Sequence, residues 1–355
     1  MISELRARGF RNLAPLSFAP AASLNLLSGD NGAGKTSLLE AVYAVATTRS
    51  FRADLAACCG HGESGFELAA TLAGELRTTL GLTWAPAGRE RTRDGKPSAL
   101  AEHLGTLPVA AWTAAHGALI QGPPSHRRRF IDRGLVVRRA EALATLGRFR
   151  RTLEHKRRLL ERGGGGDHGV WNELFANAAA AVIARRAAYV EELAARLADV
   201  LARLDPSLPR VTLRYRPSPA AGIEGEAALL AHLARVAPEE LRRRCPLVGP
   251  HRDELEVLWS EHPAAVVASA GERKLLGLAM TLAQGELAAA GTAPLYLLDD
   301  LDAELDRRRL EAAWRVLAAA PPGAQVLATT SHPEAWASLG EAARWRVAAG
   351  FVTAA

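Results

Sequence analysis

Apolar positions in the first eighty residues fall in short runs separated by turn residues. One such run, Leu24-Asn25-Leu26-Leu27-Ser28, leads through a glycine-rich stretch, GDNGAGKTS (Gly29 to Ser37), into Leu38-Leu39-Glu40-Ala41-Val42. A short apolar run that stops at glycines predicts a buried strand, and the apolar spacing after them predicts a helix. From Met1 to about Leu82 the chain reads as α/β. The polar stretch RERTRDGK (Arg89 to Lys96) contains Asp94-Gly95, a turn dipeptide, and predicts a hairpin tip.

From Ser125 the pattern changes to helix formers with few breakers. A break is expected at Gly163 to Gly166, and a second helical run from Val170 to about Leu204, with Leu193, Leu197, Val200, Leu201 and Leu204 on one face. The two runs predict an antiparallel helical lobe. Arms of about 35 residues span roughly 50 Å at about 1.5 Å per residue, which excludes a long coiled-coil tether. A strand-like stretch, Val211 to Tyr215, and a small helix near Ala227 to Val236 follow. From Val248 the alternation of strand and helix returns. Two α/β ends flanking a helical middle imply one parallel-sheet lobe built from residues 1–125 and 246–355, with a helical lobe, 126–245, inserted.

Composition adds bounds. The 355 residues are 48% hydrophobic and 23% charged, which fits a folded chain and rules out wholesale disorder. Cys58, Cys59 and Cys245 form neither a disulfide framework nor Cys-x-x-Cys metal spacing, so a reducing cytoplasm is expected. MISELRARGFRN carries charge where an export signal needs an apolar stretch, and no run of about 18 uncharged apolar residues occurs, so neither export nor membrane spanning is expected. Charge placement says more. Between Arg127 and Arg162, thirteen Arg or Lys stand against four Asp or Glu, a net of +9 in a chain whose total is +6. Positive charge so concentrated attracts a polyanion.

The glycine stretch fits Gly-x4-Gly-Lys-Thr. Its glycines let successive N–H groups converge, the following helix adds its positive end, Lys35 reaches outer phosphates, and the Thr36 hydroxyl suits Mg2+. The candidate phosphate cradle is therefore Gly29, Asp30, Asn31, Gly32, Ala33, Gly34, Lys35, Thr36 and Ser37. PLYLLDDLDAELD (Pro294 to Asp306) predicts an apolar strand ending in Asp299, placed to hold Mg2+, and Asp300, placed to position or deprotonate the attacking water. Between them, Ser269-Ala270-Gly271 opens a long helix, a second anion-binding geometry.

In this order these elements resemble the ATP-binding-cassette head of the SMC/Rad50-like kind, a P-loop NTPase built from N- and C-terminal segments. The resemblance narrows to the RecF family of bacterial recombinational-repair proteins on Phe10-Arg11-Asn12, GDNGAGKTSLLEA, Ser50-Phe51-Arg52, GPPSHRRRFID (Gly122 to Asp132), GPHRDEL (Gly249 to Leu255) and LLDDLDAELD. It implies an ATPase that binds ATP with Mg2+, with Arg11 beside the nucleotide and Lys35, Asp299 and Asp300 catalytic. Each nucleotide would lie between two copies, facing Ser269 and Gly271 of the second, with Ser269 and Asp306 at the dimer seam. It also implies duplex DNA as ligand and action with RecO and RecR to load RecA at gapped DNA, with weak, DNA-stimulated hydrolysis. The signature departs from the family's usual Ser-Arg-Gly-Gln, reading Ser269-Ala270-Gly271-Glu272. VLATTSHPE offers Thr330 or His332 as the residue that senses the terminal phosphate, and no glutamine is assigned to the metal-contacting loop.

For DNA the candidates are Arg127, Arg128, Arg129, Arg148, Arg150, Arg151, Lys156, Arg157 and Arg158, some of which must face the core or pair with acids of the same segment. Two other function classes share the phosphate chemistry: a cassette that drives a membrane partner, and a scaffold that uses nucleotide only to assemble.

Overall fold

The structure, a computed structural model, describes the chain except residues 75, 114–116, 164–167, 220–224, 289–292, 321–322 and 338. It divides into two compact units. The first comprises Met1–Gly117, Arg196–Leu208 and Ser269–Ala355; the second comprises Ala118–Ala195 and Pro209–Ala268.

In the first unit, an antiparallel sheet contains β1 (Ile2–Arg8), β2 (Leu16–Phe18), β4 (Phe66–Leu72), β5 (Thr78–Ala85), β6 (Gly88–Arg93) and β7 (Lys96–Pro97), ordered β2-β1-β4-β5-β6-β7. The second sheet contains β3 (Leu24–Ser28), β8 (Val109–Trp112), β12 (Leu295–Leu298), β13 (Gln325–Thr330), β14 (Ala343–Ala348) and β15 (Phe351–Ala354), ordered β15-β14-β3-β13-β12-β8. Its neighbouring strands are parallel except β14 with β15. Helix α1 (Lys35–Thr47) packs against strands of both sheets. Every residue from Ser37 to Ala46 is buried, the condition of a helix clothed on all sides by core. Its apolar surface and those of both sheets form one cluster that includes Leu5, Phe10, Leu38, Tyr43, Leu68 and Leu327. The Gln325 amide ties the sheets together, donating to the Ile2 carbonyl (2.9 Å) and accepting from the Ile2 N–H (2.8 Å). The unit also contains α2 (Leu100–Thr106), α9 (Ala270–Ala288), α10 (Leu301–Glu304) and α11 (Arg307–Ala318). The expected hairpin tip is present between β6 and β7, with positive φ at both Asp94 (52°) and Gly95 (76°).

The second unit contains α3 (Gly117–Gln121), α4 (Pro124–Arg138), α5 (Ala142–Glu161), most of α6 (His168–Leu204), α7 (Gly225–Arg243) and α8 (Ala264–Val267). It also contains the sheet β11-β10-β9, formed by β9 (Val211–Arg216), β10 (Glu254–Trp259) and β11 (His262–Pro263). Two expectations change here. The first helical run is divided, because Arg139 adopts an extended conformation (φ −146°) with no Gly or Pro to announce it, and Ala142 becomes buried. The helix expected near 227–236 runs on through Pro238, carried by ion pairs of Glu239 with Arg242 and Arg243 and by the buried Glu240. Gly163 takes a positive φ (78°) at the expected break, while 164–166 lie outside the described residues. The five apolar positions expected on one face of α6 are all buried.

Candidate nucleotide-binding site

Strand β3 stops at Ser28 and α1 starts at Lys35, so the glycine stretch bridges a parallel strand to the helix behind it, at the carboxyl ends of the strands where α/β sheets hold ligands. Gly32 (φ 80°) and Gly34 (φ 112°) take backbone conformations that side chains rarely adopt, and Gly34 is the N-cap of α1. Alternating conformations of this kind turn consecutive N–H groups into one concavity. The loop is held from within and by the turn between β14 and β15: the Ala33 N–H donates to the Asp30 carbonyl (3.1 Å), and the Gly350 N–H donates to the Ala33 carbonyl (2.9 Å). Lys35 Nζ donates to the carbonyls of Gly29 (2.7 Å) and Asp30 (3.1 Å) and to Ser331 Oγ (3.2 Å), and Ser331 Oγ donates to Asn31 Oδ1 (3.0 Å).

Asp299 follows β12, one strand removed from β3 across β13. Thr36 Oγ1 lies 2.9 and 3.0 Å from its two carboxylate oxygens, and Thr329 Oγ1 donates to Oδ1 at 2.9 Å. Burial raises the Asp299 pKa; the two hydroxyls oppose the rise and the charge of Asp300 adds to it. Asp300 takes a left-handed conformation (φ 46°), and its N–H donates to Thr329 Oγ1 (2.9 Å). A carboxylate whose ionised form is disfavoured, set beside a hydroxyl and a second carboxylate, gains from a hard cation. These oxygen donors fit Mg2+, which takes few protein carboxylates and completes its shell with water and phosphate. Among the described residues no cluster of three or more His, Cys, Asp or Glu forms a self-sufficient metal cage.

A cavity of about 470 Å3 opens over the loop, lined by Arg11, Asn12, Gly34, Lys35, Thr36, Arg52, Cys59, His61 and Asp300 among others. Arg11 borders it, yet its guanidinium is committed to Glu40 on α1, with Nε–Oε2 2.9 Å and Nη2–Oε1 2.7 Å. Burial opposes ionisation of Glu40, but Arg11, Ser50 and Arg52 together hold its carboxyl below the usual range. The adjacent Cys58 thiol is pushed up to about 11 by burial and by Glu40. Several side chains around the loop and cavity had no assignment in the sequence. Asn12 accepts from Ser37 Oγ and donates to the Gly32 carbonyl, both at 2.7 Å. Arg52, 48% exposed, lines the cavity with a loose contact to Glu40 (3.4 Å). The signal for Ser331 and Thr329 was the hydroxyl run Thr329-Thr330-Ser331 closing an apolar strand. Thr330 is buried and donates to Asp302 Oδ2 (2.7 Å), whereas His332 is exposed and faces Glu334 (3.3 Å), so Ser331 is the member of that run that meets the phosphate loop.

Ser269 is exposed and caps α9. Its N–H donates to Glu272 Oε2 (2.7 Å), and the Glu272 N–H donates to Ser269 Oγ (3.3 Å). This reciprocal pair explains the glutamate in the signature: it closes a capping box. Asp306 is exposed and caps α11 through the Arg309 N–H (2.9 Å).

The basic residues of the second unit sort into two groups. Arg127 is paired with both Glu254 oxygens (2.7 and 2.8 Å), and Arg128 donates to the Asp253 carbonyl (2.7 Å). Lys156 is buried against Glu240 (2.8 Å), Asn172 (2.8 Å) and the Phe175 ring. Lys156 is thus removed from the expected DNA surface, because an ammonium at its position on the buried stripe of α5 must be neutralised internally. Arg129, Arg148, Arg150, Arg151, Arg157 and Arg158 are exposed, and Arg158 pairs with Glu154 (3.0 Å).

A profile of the AAA domain family matches residues 4–63, the segment that carries the loop. The DNA replication and repair protein RecF of Thermomicrobium roseum is 34% identical over 352 residues, covering 87% of each chain. The chain is a member of the RecF family. RecF of Anaeromyxobacter sp. is also 34% identical, over 92% of this chain and 91% of its own. A solved structure of the recombination mediator protein RecF with ATP in the RecFOR pathway superposes on 100% of this chain and 97% of its own, with TM-score 0.89 and 22% identity. An SMC head bound to the C-terminal winged-helix domain of ScpA reaches TM-score 0.57 at 16% identity. The fold is thus the expected ABC-type ATPase head, shared by RecF and SMC heads. Among the described residues no helix is long and apolar enough to cross a membrane.

Proposed function

We propose that the chain binds ATP with Mg2+ over the Gly29–Ser37 loop and hydrolyses it weakly, faster on DNA. We further propose that bound ATP joins two copies into a clamp on duplex DNA, and that with RecO and RecR the clamp promotes RecA loading at gapped DNA. The observation that carries the reading is the Thr36–Asp299–Thr329 cluster beside the loop, an oxygen-rich acidic spot next to converging N–H groups. Lys35, which donates to loop carbonyls and Ser331, is placed to exchange those acceptors for phosphate oxygens. Bound Mg2+ would neutralise phosphate charge, held by Thr36 and Asp299. Asp300, bordering the cavity, is the candidate to orient the attacking water. Ser269 and Gly271 of the second copy would complete the site, with Asp306 at the seam. In this proposal the first unit supplies the ATPase lobe and the second supplies the DNA lobe, so that the lobe boundaries expected at 125 and 245 move to 117 and 268, with 196–208 on the ATPase side. Arg129, Arg148, Arg150, Arg151, Arg157 and Arg158 are the backbone-contacting set; such contacts carry no sequence preference and weaken with salt.

The test is sedimentation with ATP, with duplex DNA, with both and with neither, run beside Asp300→Asn. The reading expects pairing on ATP, a larger species with DNA, and an Asn variant that pairs but does not turn over. Single chains under all four conditions would refute it. Pairing without turnover in the unmodified chain would make it a nucleotide-assembled scaffold instead.

A further inference from the structure

One guanidinium lies against both segments expected at the dimer seam. Arg309, in the first turn of α11, points back so that its Nη1 lies 3.4 Å from Asp306 Oδ2. The same Nη1 would stand 2.6 Å from a side-chain carbon placed on Gly271. A methyl there would push the guanidinium aside, so the bare glycine is what lets the arginine lie directly against the Ser269–Glu272 segment. Arg309 also lends positive charge to Glu272, the carboxylate that accepts the Ser269 N–H. Its side chain is only 23% exposed, although Asp306 is 56% exposed. A planar fork paired with Asp306 and seated against Gly271 makes a stiffer link than a flexible ammonium.

We propose that Arg309 is a positioning residue that locks the Ser269–Glu272 segment to the Asp306 turn, so that both meet a second copy of the chain as one preformed surface. The proposal rests on the reading that ATP is shared between two copies. Without the lock, Ser269 and Asp306 move independently, and pairing must first order both. Nucleotide binding by a single chain is untouched, because the polar partners of Lys35 and Thr36 are loop carbonyls, Ser331 and Asp299, while Arg309 pairs with Asp306.

The experiment compares Arg309→Ala, Arg309→Met and Arg309→Lys with the unmodified chain. ATP affinity is measured at dilutions where chains stay single, ATP-dependent pairing by sedimentation, and backbone amide exchange over residues 270–273 in the single chain. Arg309→Ala and Arg309→Met are expected to keep ATP affinity, to weaken pairing about tenfold, and to speed exchange at those amides. Arg309→Lys, which retains the charge facing Asp306, is expected to recover part of the pairing. Met keeps the packing volume should Ala fold poorly. Unchanged pairing and exchange in both neutral variants would overturn the lock, as would a loss of pairing that Lys does not relieve at all. If the unmodified chain does not pair on ATP, the shared-nucleotide reading fails by itself, and the lock is then decided by exchange: acceleration supports it and unchanged protection overturns it.

Discussion

Replacing Asp299 by Asn is expected to stabilise the nucleotide-free protein while disabling it. Burial raises the Asp299 pKa and the neighbouring Asp300 charge adds to the rise, so the folded chain prefers the protonated acid. Stability from this group is therefore complete at low pH and is lost as pH climbs through the folded value. Asn removes the charge yet keeps one oxygen to accept from Thr36 and Thr329, which lie 2.9 Å from Oδ1; it forfeits only the 3.0 Å hydrogen bond of Thr36 with Oδ2. Removing that hydrogen bond costs about 0.5 kcal/mol. Relief of the partly buried charge returns about 1–2 kcal/mol, leaving a net gain near 1 kcal/mol, or roughly 2–4 °C in melting temperature for a unit of this size. The assay is calorimetric melting in chelator from pH 4 to pH 8. The gap between the variant and the unmodified protein should be smallest at pH 4 and widen toward neutral pH. Added ATP and Mg2+ should raise the melting temperature of the unmodified chain more than that of the variant. A variant less stable at pH 8, or a gap independent of pH, would refute the electrostatic account.

Other outcomes follow from the second unit. Reversing Arg148 and Arg151 to Glu should weaken duplex binding, and the slope of log affinity against log salt should fall by about 0.9 for each phosphate no longer neutralised; an unchanged slope in titrations at several ionic strengths would move the DNA surface elsewhere. Glu240→Ala strands the buried Lys156 ammonium and should destabilise the second unit by about 3–5 kcal/mol in urea melts, whereas Glu240→Gln should cost less because its one oxygen can still accept from Lys156 in place of Oε2, at the loss of the bond that Oε1 accepts from the Leu247 N–H. Burial pushes His251 down to about 4, so the folded state disfavours its protonated form. Stability should accordingly fall as pH drops from 6.5 toward 4, by up to about 3 kcal/mol, and His251→Gln should flatten that limb of the denaturation profile.

The phosphate loop and the acidic strand end were legible because their chemistry is local: glycines, lysine, threonine and paired aspartates announce themselves within a few residues. The apolar stripe of α6 was equally legible, since a helix records its buried face in its own spacing. What escaped was whatever depends on strands far apart in sequence. Nothing near Thr329 or Ser331 states that β13 lies between β3 and β12, yet that adjacency brings their hydroxyls to Asp299 and Lys35. Asn12 stands in a recognised motif, but its grip on Gly32 and Ser37 needs the turn after β1 folded over the loop. Among basic residues, exposure cannot be read from charge alone. Lys156 and Arg157 are neighbours in sequence, and one is sealed inside while the other faces water.

The order of the strands carries a cost during synthesis. Strand β3 ends at Ser28, but both its sheet neighbours, β13 and β14, lie beyond residue 324. A chain emerging from the ribosome therefore displays the glycine loop, with neither flanking strand available, until residue 325 has been made. A ligand-competent pocket can close only once residues 325–348 are free. Until then the edges of β3 are open to mispairing, which makes β13 and β14 the gatekeepers of the whole sheet.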